Sequence, residues 1–462
     1  MQFSQPLFWA AFGTFYVIYL VLQKNVAIRN AFLLLGSYAF YAWWDWRFAL
    51  LLALSTAVSF CIGRMLPRVR NKKALLICAI VFHVGVLALF KYATFALENA
   101  AAILSRLGFT VDGITLHFLL PLGISFYTFS ILGYLIEIYQ GKSEPERSIV
   151  NYALFVAFFP KILSGPIERA SHLLPQFKEK RPVAMEKFSE GLFLIVWGLI
   201  QKLCIADNAA IAANAFLSGS PESHLITGGL ALSLQILADF SGYSDIAKGL
   251  GALLGFDLSW NFKLPYFADT PSEFWRRWHI TLSQWFLSYV YIPLGGNRRG
   301  RLMTARNLLV TMMLVGLWHG ARWTFVLWGA YHGVLLILYK TGEEAGLGNS
   351  TLMRILRATG LSTVIFFVFV TIGWMLFQSE SLGQLASALS VASWNLADPL
   401  LAAVAVLWLP FIAMQLFQYR RGELLAFARL PLAPQLLFYA LAWFAILYLP
   451  PLHPQQFVYV QF

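Results

Sequence analysis

The chain reads as an all-α polytopic membrane protein, and three observations say so. Hydrophobic residues fill 59% of its 462 positions and charged residues only 12%, roughly half the charged fraction of a soluble domain. The mean hydropathy is +0.66. Apolar runs approaching the roughly 20 residues that a spanning helix needs follow one another along the whole length. Lys and Arg fall in short clusters between those runs, the pattern of cytoplasmic loops.

The runs, in order, are Phe8–Leu22, Ala31–Trp44, Phe48–Ile62, Ala74–Leu89, Leu116–Tyr139, Asn151–Leu163 and Phe188–Ile205, then Ile226–Leu254, Leu308–Trp318, Trp323–Leu338, Ser362–Phe377, Leu400–Phe417 and Leu436–Tyr448. Several are short, so tilted, broken or re-entrant helices are expected, which need burial in protein or a water-filled cavity. Residues 1–462 are expected to form one membrane-embedded domain of about 11–13 hydrophobic segments, with 273–332 as its chemical core. No internal repeat is visible.

The first run has no basic region before it and no small-residue cleavage site after it. It is expected to be retained as a transmembrane helix. The stretch from Arg64 to Lys73 carries five basic residues and marks a cytoplasmic loop. Lys24 lies two spans earlier, on the same side, which puts the N-terminus outside and the Asp45–Arg47 turn on the outer face. The clusters Lys178–Arg181, Arg298–Arg306 and Arg420–Arg421 are expected to be cytoplasmic. So is the polar segment Ser164–Lys187. The net charge of +12 fits attraction to an anionic leaflet rather than to nucleic acid, because the basic residues are dispersed between apolar runs.

Cys61, Cys78 and Cys204 follow neither a disulfide nor a zinc spacing. All three are expected to be small buried apolar side chains, and no metal is expected.

Three of the eight histidines lie between Glu273 and His332, in EFWRRWHITLSQWFLSYVYIPLGGNRRG and LWHGARWTFVLWGAYHG. Read as one helix, the first segment puts Trp278, Leu282 and Trp285 on an apolar stripe and His279 beside Ser283. Arg276 and Arg277 can hold phosphates through charge-assisted hydrogen bonds, or simply anchor the helix at the interface. His319, between Trp318 and Gly320, can serve as a general base, or be a buried histidine bonded to a carbonyl. His332 has little polar company and reads as packing.

The run ILADFSGYSDIAKGLGALLGF sets Asp239, Tyr243, Asp245 and Lys248 in apolar surroundings. Such groups require a shared polar cavity or mutual pairing. Asp245 and Lys248 are spaced to pair with each other. Pro121, Gly123 and Ser125 argue for a broken helix that carries Glu137 near its far end, and KILSGPIER repeats the pattern with Lys161, Ser164 and Glu168. A cavity wall and a stabilising network fit these equally. His83, His117, His172, His224 and His453 are given no role.

Together these segments resemble the membrane-bound O-acyltransferase family, in its bacterial alginate O-acetyltransferase branch. SYAFYAWWDWRF, PLGISFYTFSILGYLIEIYQG, FFPKILSGPIER, LADFSGYSDIAKGLGALLGF, FWRRWHITLSQWFLSYVYIPLGGNRRG and LWHGARWTFVLWGAYHG match it in order over nearly the whole chain. The resemblance implies a ring of transmembrane and re-entrant helices around a central tunnel. It implies His319 as the catalytic histidine and His279 as its companion. It implies an acetyl thioester donor, acetyl-CoA or an acyl carrier, arriving from the cytoplasm at a lip that includes Arg298 and Arg299. No bound cofactor is implied. The product is expected to be an O-acetylated extracytoplasmic polysaccharide, made through a separate periplasmic acetyltransferase, with the chain in the bacterial inner membrane. Peptidoglycan, cellulose or a D-alanyl acceptor are alternatives within the family. A secondary transporter is the alternative outside it.

Overall fold

The computed structural model describes residues 3–109, 119–219, 224–394, 398–452 and 455. His117 and His453, and the start of the run expected at Leu116, lie outside them. Among the described residues there is no β-strand, and His224 and Ser393 form an isolated parallel bridge. Six helical segments are long and apolar enough to cross a membrane: Trp46–Met65, Lys72–Arg106, Met185–Leu217, Leu225–Leu253, Leu361–Gln378 and Pro399–Arg421. The chain is an all-α polytopic membrane protein, and it divides into two compact units.

The first unit comprises Met1–Ala184 and Leu254–Leu258. Its helices are α1 (Pro6–Leu22), α2 (Val26–Ala42), α3 (Trp46–Met65), α4 (Lys72–Arg106), α5 (Ile124–Tyr139), α6 (Ile149–Ala157), α7 (Phe159–Ile162) and α8 (Ala170–Lys178). Short polar caps set the boundaries. Asn25 accepts from the amides of Ala27 and Ile28, and Ser148 from that of Asn151; each satisfies donors the helix start leaves unpaired. Trp43, Trp44 and Trp46, around the α2–α3 turn, are exposed and form an aromatic belt of the kind found at a membrane surface. Gly123 starts α5 with φ +69, and a Cβ there would run into the Ile162 carbonyl. The Pro121–Gly123 break therefore lets α5 begin against α7.

Arg29 is fully buried on α2. Its guanidinium donates to the Phe177 and Glu179 carbonyls and to Asn30 Oδ1, each at 2.9 Å. This ties α8, within the polar segment expected to be cytoplasmic, to the helices before it.

Two expectations fail in this unit. The run expected to end at Leu89 continues as helix to Arg106; apolarity marks the part suited to lipid, not the part that is helical. Cys61 and Cys78 are exposed and only Cys204 is buried. An apolar neighbourhood on a membrane helix can face lipid instead of protein.

The second unit comprises Met185–Leu253 and Ser259–Phe462. Its helices are α9 (Met185–Leu199), α10 (Asp207–Leu217), α11 (Leu225–Leu253), α12 (Pro271–Arg277), α13 (Ile280–Phe286), α14 (Arg301–His319), α15 (Trp323–Glu344), α16 (Thr351–Ala358), α17 (Leu361–Gln378), α18 (Leu382–Val391), α19 (Pro399–Arg421) and α20 (Leu432–Tyr448). A π-helical stretch, Ile200–Ala206, joins α9 to α10, and a second, Leu287–Tyr291, follows α13.

Nearly every residue of α11 is buried, so it is the central helix of this unit. Its contact with α9 depends on glycine. A Cβ on Gly198 would stand 2.5 Å from the Gly242 carbonyl, and one on Gly242 would stand 2.7 Å from the Gly198 carbonyl. Gly191 and Gly249 repeat this seven residues away on each helix. Helices in lipid gain from such close backbone approach, because van der Waals contact rather than water exclusion drives their packing.

Candidate functional site

The segment expected to be one helix through Trp278 and Trp285 is two. Thr270 caps α12 by accepting from the Glu273 amide at 3.2 Å, with Pro271 at the first helical position. The helix stops at Trp278, and His279 takes φ +40 and ψ 55, in the left-handed region, before α13 begins. His279 and Leu264 are the two non-glycine residues with positive φ among the described residues. That conformation costs roughly 1–2 kcal/mol for an L-residue, so surrounding contacts must hold it.

They come from a segment beside the break. Asn261 accepts from the Ile280 amide at 2.9 Å, and Arg277 accepts from the Lys263 amide at 3.0 Å. The Thr281 hydroxyl donates to Asn261 Oδ1 at 2.6 Å. The break ends the regular stripe expected for Trp278, Leu282 and Trp285. It keeps Ser283 near His279 by another route: the Ser283 amide donates to the His279 carbonyl at 3.0 Å, and its hydroxyl to the Trp278 carbonyl at 3.2 Å.

His319 is the last residue of α14. A Cβ on Gly316 would collide with the Phe325 carbonyl, and one on Gly329 with the Met312 carbonyl. The two glycines bring α14 and α15 into backbone contact and fix where α14 ends. His319 then meets Trp328 at 5.2 Å and Phe377 at 5.0 Å between ring centroids, both edge to face. Its centroid is 6.5 Å from that of His279. Trp318 touches both imidazoles, at 5.7 Å from His279 and 5.0 Å from His319. Phe240, on α11, closes the box at 4.7 Å from His279. His279 is 0% and His319 2% exposed. Four helices and the break between α12 and α13 thus gather two imidazoles in a nearly all-aromatic enclosure.

His332 is enclosed too, by Trp328 at 5.0 Å, Trp275 at 5.2 Å and Phe274 at 6.0 Å. The Trp328 indole therefore packs against both His319 and His332. Trp278 packs against Trp374 at 4.5 Å and Phe262 at 5.0 Å, in a layer of rings behind the histidines.

The acidic residues of α11 lie in other clusters. Lys202, on the first π-helical stretch, stands 2.7 Å from a carboxylate oxygen of Asp207 and 2.7 Å from one of Asp239. All three are buried. Tyr243 offers its ring face to the same ammonium at 6.0 Å. A π-bulge widens the helix by one residue and often marks a functional position; here it carries a lysine. Asp245, expected opposite Lys248, accepts from Gln201 Nε2 at 2.7 Å, and the Gln201 amide oxygen accepts from Ser241. Lys248 lies over the Trp260 ring at 4.7 Å.

The arginines are dispersed. Arg276 is exposed, and Arg277 pairs with Glu273 at 2.5 Å. Arg298 and Arg299 sit on an exposed turn bounded by Gly295, Gly296 and Gly300, all with positive φ. Arg301 pairs with Glu344 at 2.6 Å. A cavity of about 450 Å³ opens between Trp260, Lys263, Arg277, Gln418, Tyr419 and Glu423. Trp260, Lys263, Asn261 and Lys202 carried no sequence signal: a lone polar residue in a loop or an apolar helix has no partner visible in one dimension. Among the described residues no group of three or more His, Cys, Asp or Glu side chains is placed to hold a metal ion.

Residues 145–383 match the model of the membrane-bound O-acyltransferase family. A probable alginate O-acetylase of Pseudomonas aeruginosa is 41% identical over 381 residues, which is 80% of this chain and 71% of the relative. A peptidoglycan O-acetyltransferase of Helicobacter pylori is 34% identical over 419 residues, 83% of this chain and 78% of the relative. A teichoic acid D-alanyltransferase of Bacillus subtilis is 28% identical over 277 residues, 56% of this chain and 69% of the relative. The matched span contains His279, His319 and the aromatic side chains around them, and the chain belongs to the membrane-bound O-acyltransferase family.

Proposed function

We propose that this enzyme passes an acetyl group from a cytoplasmic thioester, acetyl-CoA or an acyl carrier, to an extracytoplasmic polysaccharide through a periplasmic acetyltransferase partner. The observation that carries the reading is the pair His279–His319, 6.5 Å apart between ring centroids and shut away from solvent. Membership of an acyltransferase family sets aside the transporter alternative.

The chemistry needs a base of near-neutral pKa at the attacked carbonyl. His319 takes the proton from an incoming hydroxyl, or accepts the acetyl group itself. His279 lies across the enclosure and orients or polarises the acyl carbonyl, in a backbone conformation held by Asn261. The aromatic walls exclude water, which protects the thioester from hydrolysis.

The basic turn at Arg298 and Arg299 attracts the donor's phosphates. The cavity between Lys263, Arg277 and Trp260 gives such a donor two cations and an aromatic face. Charge-assisted bonds to phosphate and stacking on indole are both favourable there. The alginate and peptidoglycan relatives support a polysaccharide as final acceptor. The basic loops support an inner-membrane protein with its N-terminus outside.

Membranes carrying the protein should consume radiolabelled acetyl-CoA, and His319→Ala should abolish that turnover. Wild-type turnover in the variant would remove His319 from the reaction.

A further inference from the structure

A second cluster of hydroxyl, imidazole and carboxylate lies in this unit, and the mechanism above does not use it. His224 immediately precedes α11, Asp398 immediately precedes α19, and Ser393 follows α18 by two residues. His224 Nδ1 is 2.5 Å from the Ser393 hydroxyl, and its Nε2 is 3.9 Å from Asp398 Oδ1. The backbone fixes the pair, because the Leu225 amide donates to the Ser393 carbonyl at 3.0 Å. Asp398 is buried, accepting from Thr227 Oγ1 at 2.5 Å and from the Leu400 amide at 2.9 Å. Ser393 itself is exposed.

We propose that Ser393 is an acyl-accepting nucleophile with His224 as its base, beside the buried carboxylate of Asp398. Asp398 Oδ1, at 3.9 Å, lies beyond hydrogen-bond distance of Nε2. The Nδ1 contact with the hydroxyl at 2.5 Å is what places the imidazole to take the serine proton, the nucleophile–base pairing that acyl transfer requires. The Ser393 oxygen attacks the carbonyl of an activated acetyl ester or thioester. Its bond to carbon forms, the bond to the leaving oxygen or sulfur breaks, and the proton passes through His224 to the leaving group.

This deepens the acyl-transfer reading and rests on it only for the identity of the acyl group. His319 is buried and Ser393 is exposed, so Ser393 is the more accessible of the two to a large acceptor. An acetyl ester on Ser393 is a form in which the group can be handed over, by attack of the acceptor hydroxyl and return of the proton through His224.

The test uses the purified full-length chain and p-nitrophenyl acetate, followed by peptide mass spectrometry. The wild type should carry acetyl on the peptide holding Ser393. Ser393→Ala should carry none there, Ser393→Thr should regain it, and His224→Gln should slow its formation roughly a hundredfold, the lower end of what a general base contributes. An unmodified Ser393 in the wild type would overturn the proposal. So would equal labelling rates in wild type and His224→Gln, which would make the cluster a clasp between two loops. The reagent acylates an activated serine without any thioester step. Failure of the thioester reading would leave this labelling intact, and failure here would leave acetyl-CoA turnover intact.

Discussion

Thr281 donates its hydroxyl to Asn261 Oδ1 at 2.6 Å, and both side chains are buried. With the bond from the Ile280 amide to the Asn261 carbonyl, this contact holds His279 in its left-handed conformation. Thr281→Val removes the donor at nearly constant volume and leaves the Asn261 oxygen unsatisfied, at a cost of about 1–3 kcal/mol. A 1 Å displacement of a reacting group can cost on the order of a hundredfold in rate. Thr281→Val should therefore lower kcat of acetyl transfer by roughly ten- to a hundredfold with little change in KM. A rise in KM alone would mean the contact serves donor binding instead.

Gly316 lies three residues before His319, against the Phe325 carbonyl. In Gly316→Ala the new methyl must push α14 from α15, because what it meets is backbone and cannot rotate away. Overpacking of this kind costs about 1–3 kcal/mol. The thermal midpoint in detergent should fall and acetyl transfer should be lost together, while Gly13→Ala, with open space around its Cα, should change neither. A stable Gly316→Ala with full activity would show that the contact is not needed to place His319.

Much of this architecture was legible in one dimension, and the reasons are physical. A membrane helix must be apolar over its lipid-spanning length, so α3, α11, α17 and α19 were visible as runs. His319 was singled out by the family resemblance of its LWHG motif, because its own residues left a buried histidine bonded to a carbonyl open. The break at His279 was not visible. It depends on Asn261, eighteen residues earlier, and neither proline nor glycine marks it. The π-helical stretch carrying Lys202 was hidden for the same reason: its partner Asp239 lies on another helix. The expected burial of Cys61 and Cys78 failed because apolar surroundings on a membrane helix do not distinguish lipid from protein.

Lys202, Asp207 and Asp239 carry two negative charges and one positive in a buried place. Removing the cation leaves two carboxylates uncompensated, and breaking a buried pair in this way costs about 3–5 kcal/mol. Removing one carboxylate leaves a neutral pair. Lys202→Met should therefore fail to accumulate as a monodisperse protein in detergent, whereas Asp207→Asn should be purified at wild-type yield. The reverse order on size-exclusion chromatography would show that the lysine does not neutralise the cluster.

Glu146, in the loop between α5 and α6, is placed for a pH response. Burial raises its pKa, but this is outweighed by the Lys178 ammonium at 2.7 Å and by the Arg147 and Ser148 amides, and the net shift is downward. A carboxyl whose pKa is lower in the folded state releases its proton more readily there, so the unfolded chain binds more protons between the two pKa values. Stability from Glu146 is then fully present above the unfolded value near 4.3 and is lost as pH falls through the folded value. The wild-type thermal midpoint should drop more steeply than that of Glu146→Gln as pH falls from about 6 to about 3, and the two profiles should run parallel above it. Lys178→Met should lessen the steepness without removing it, because the two amides still favour the ionised carboxylate. Parallel profiles across the whole range would show that Glu146 contributes no proton-linked stability.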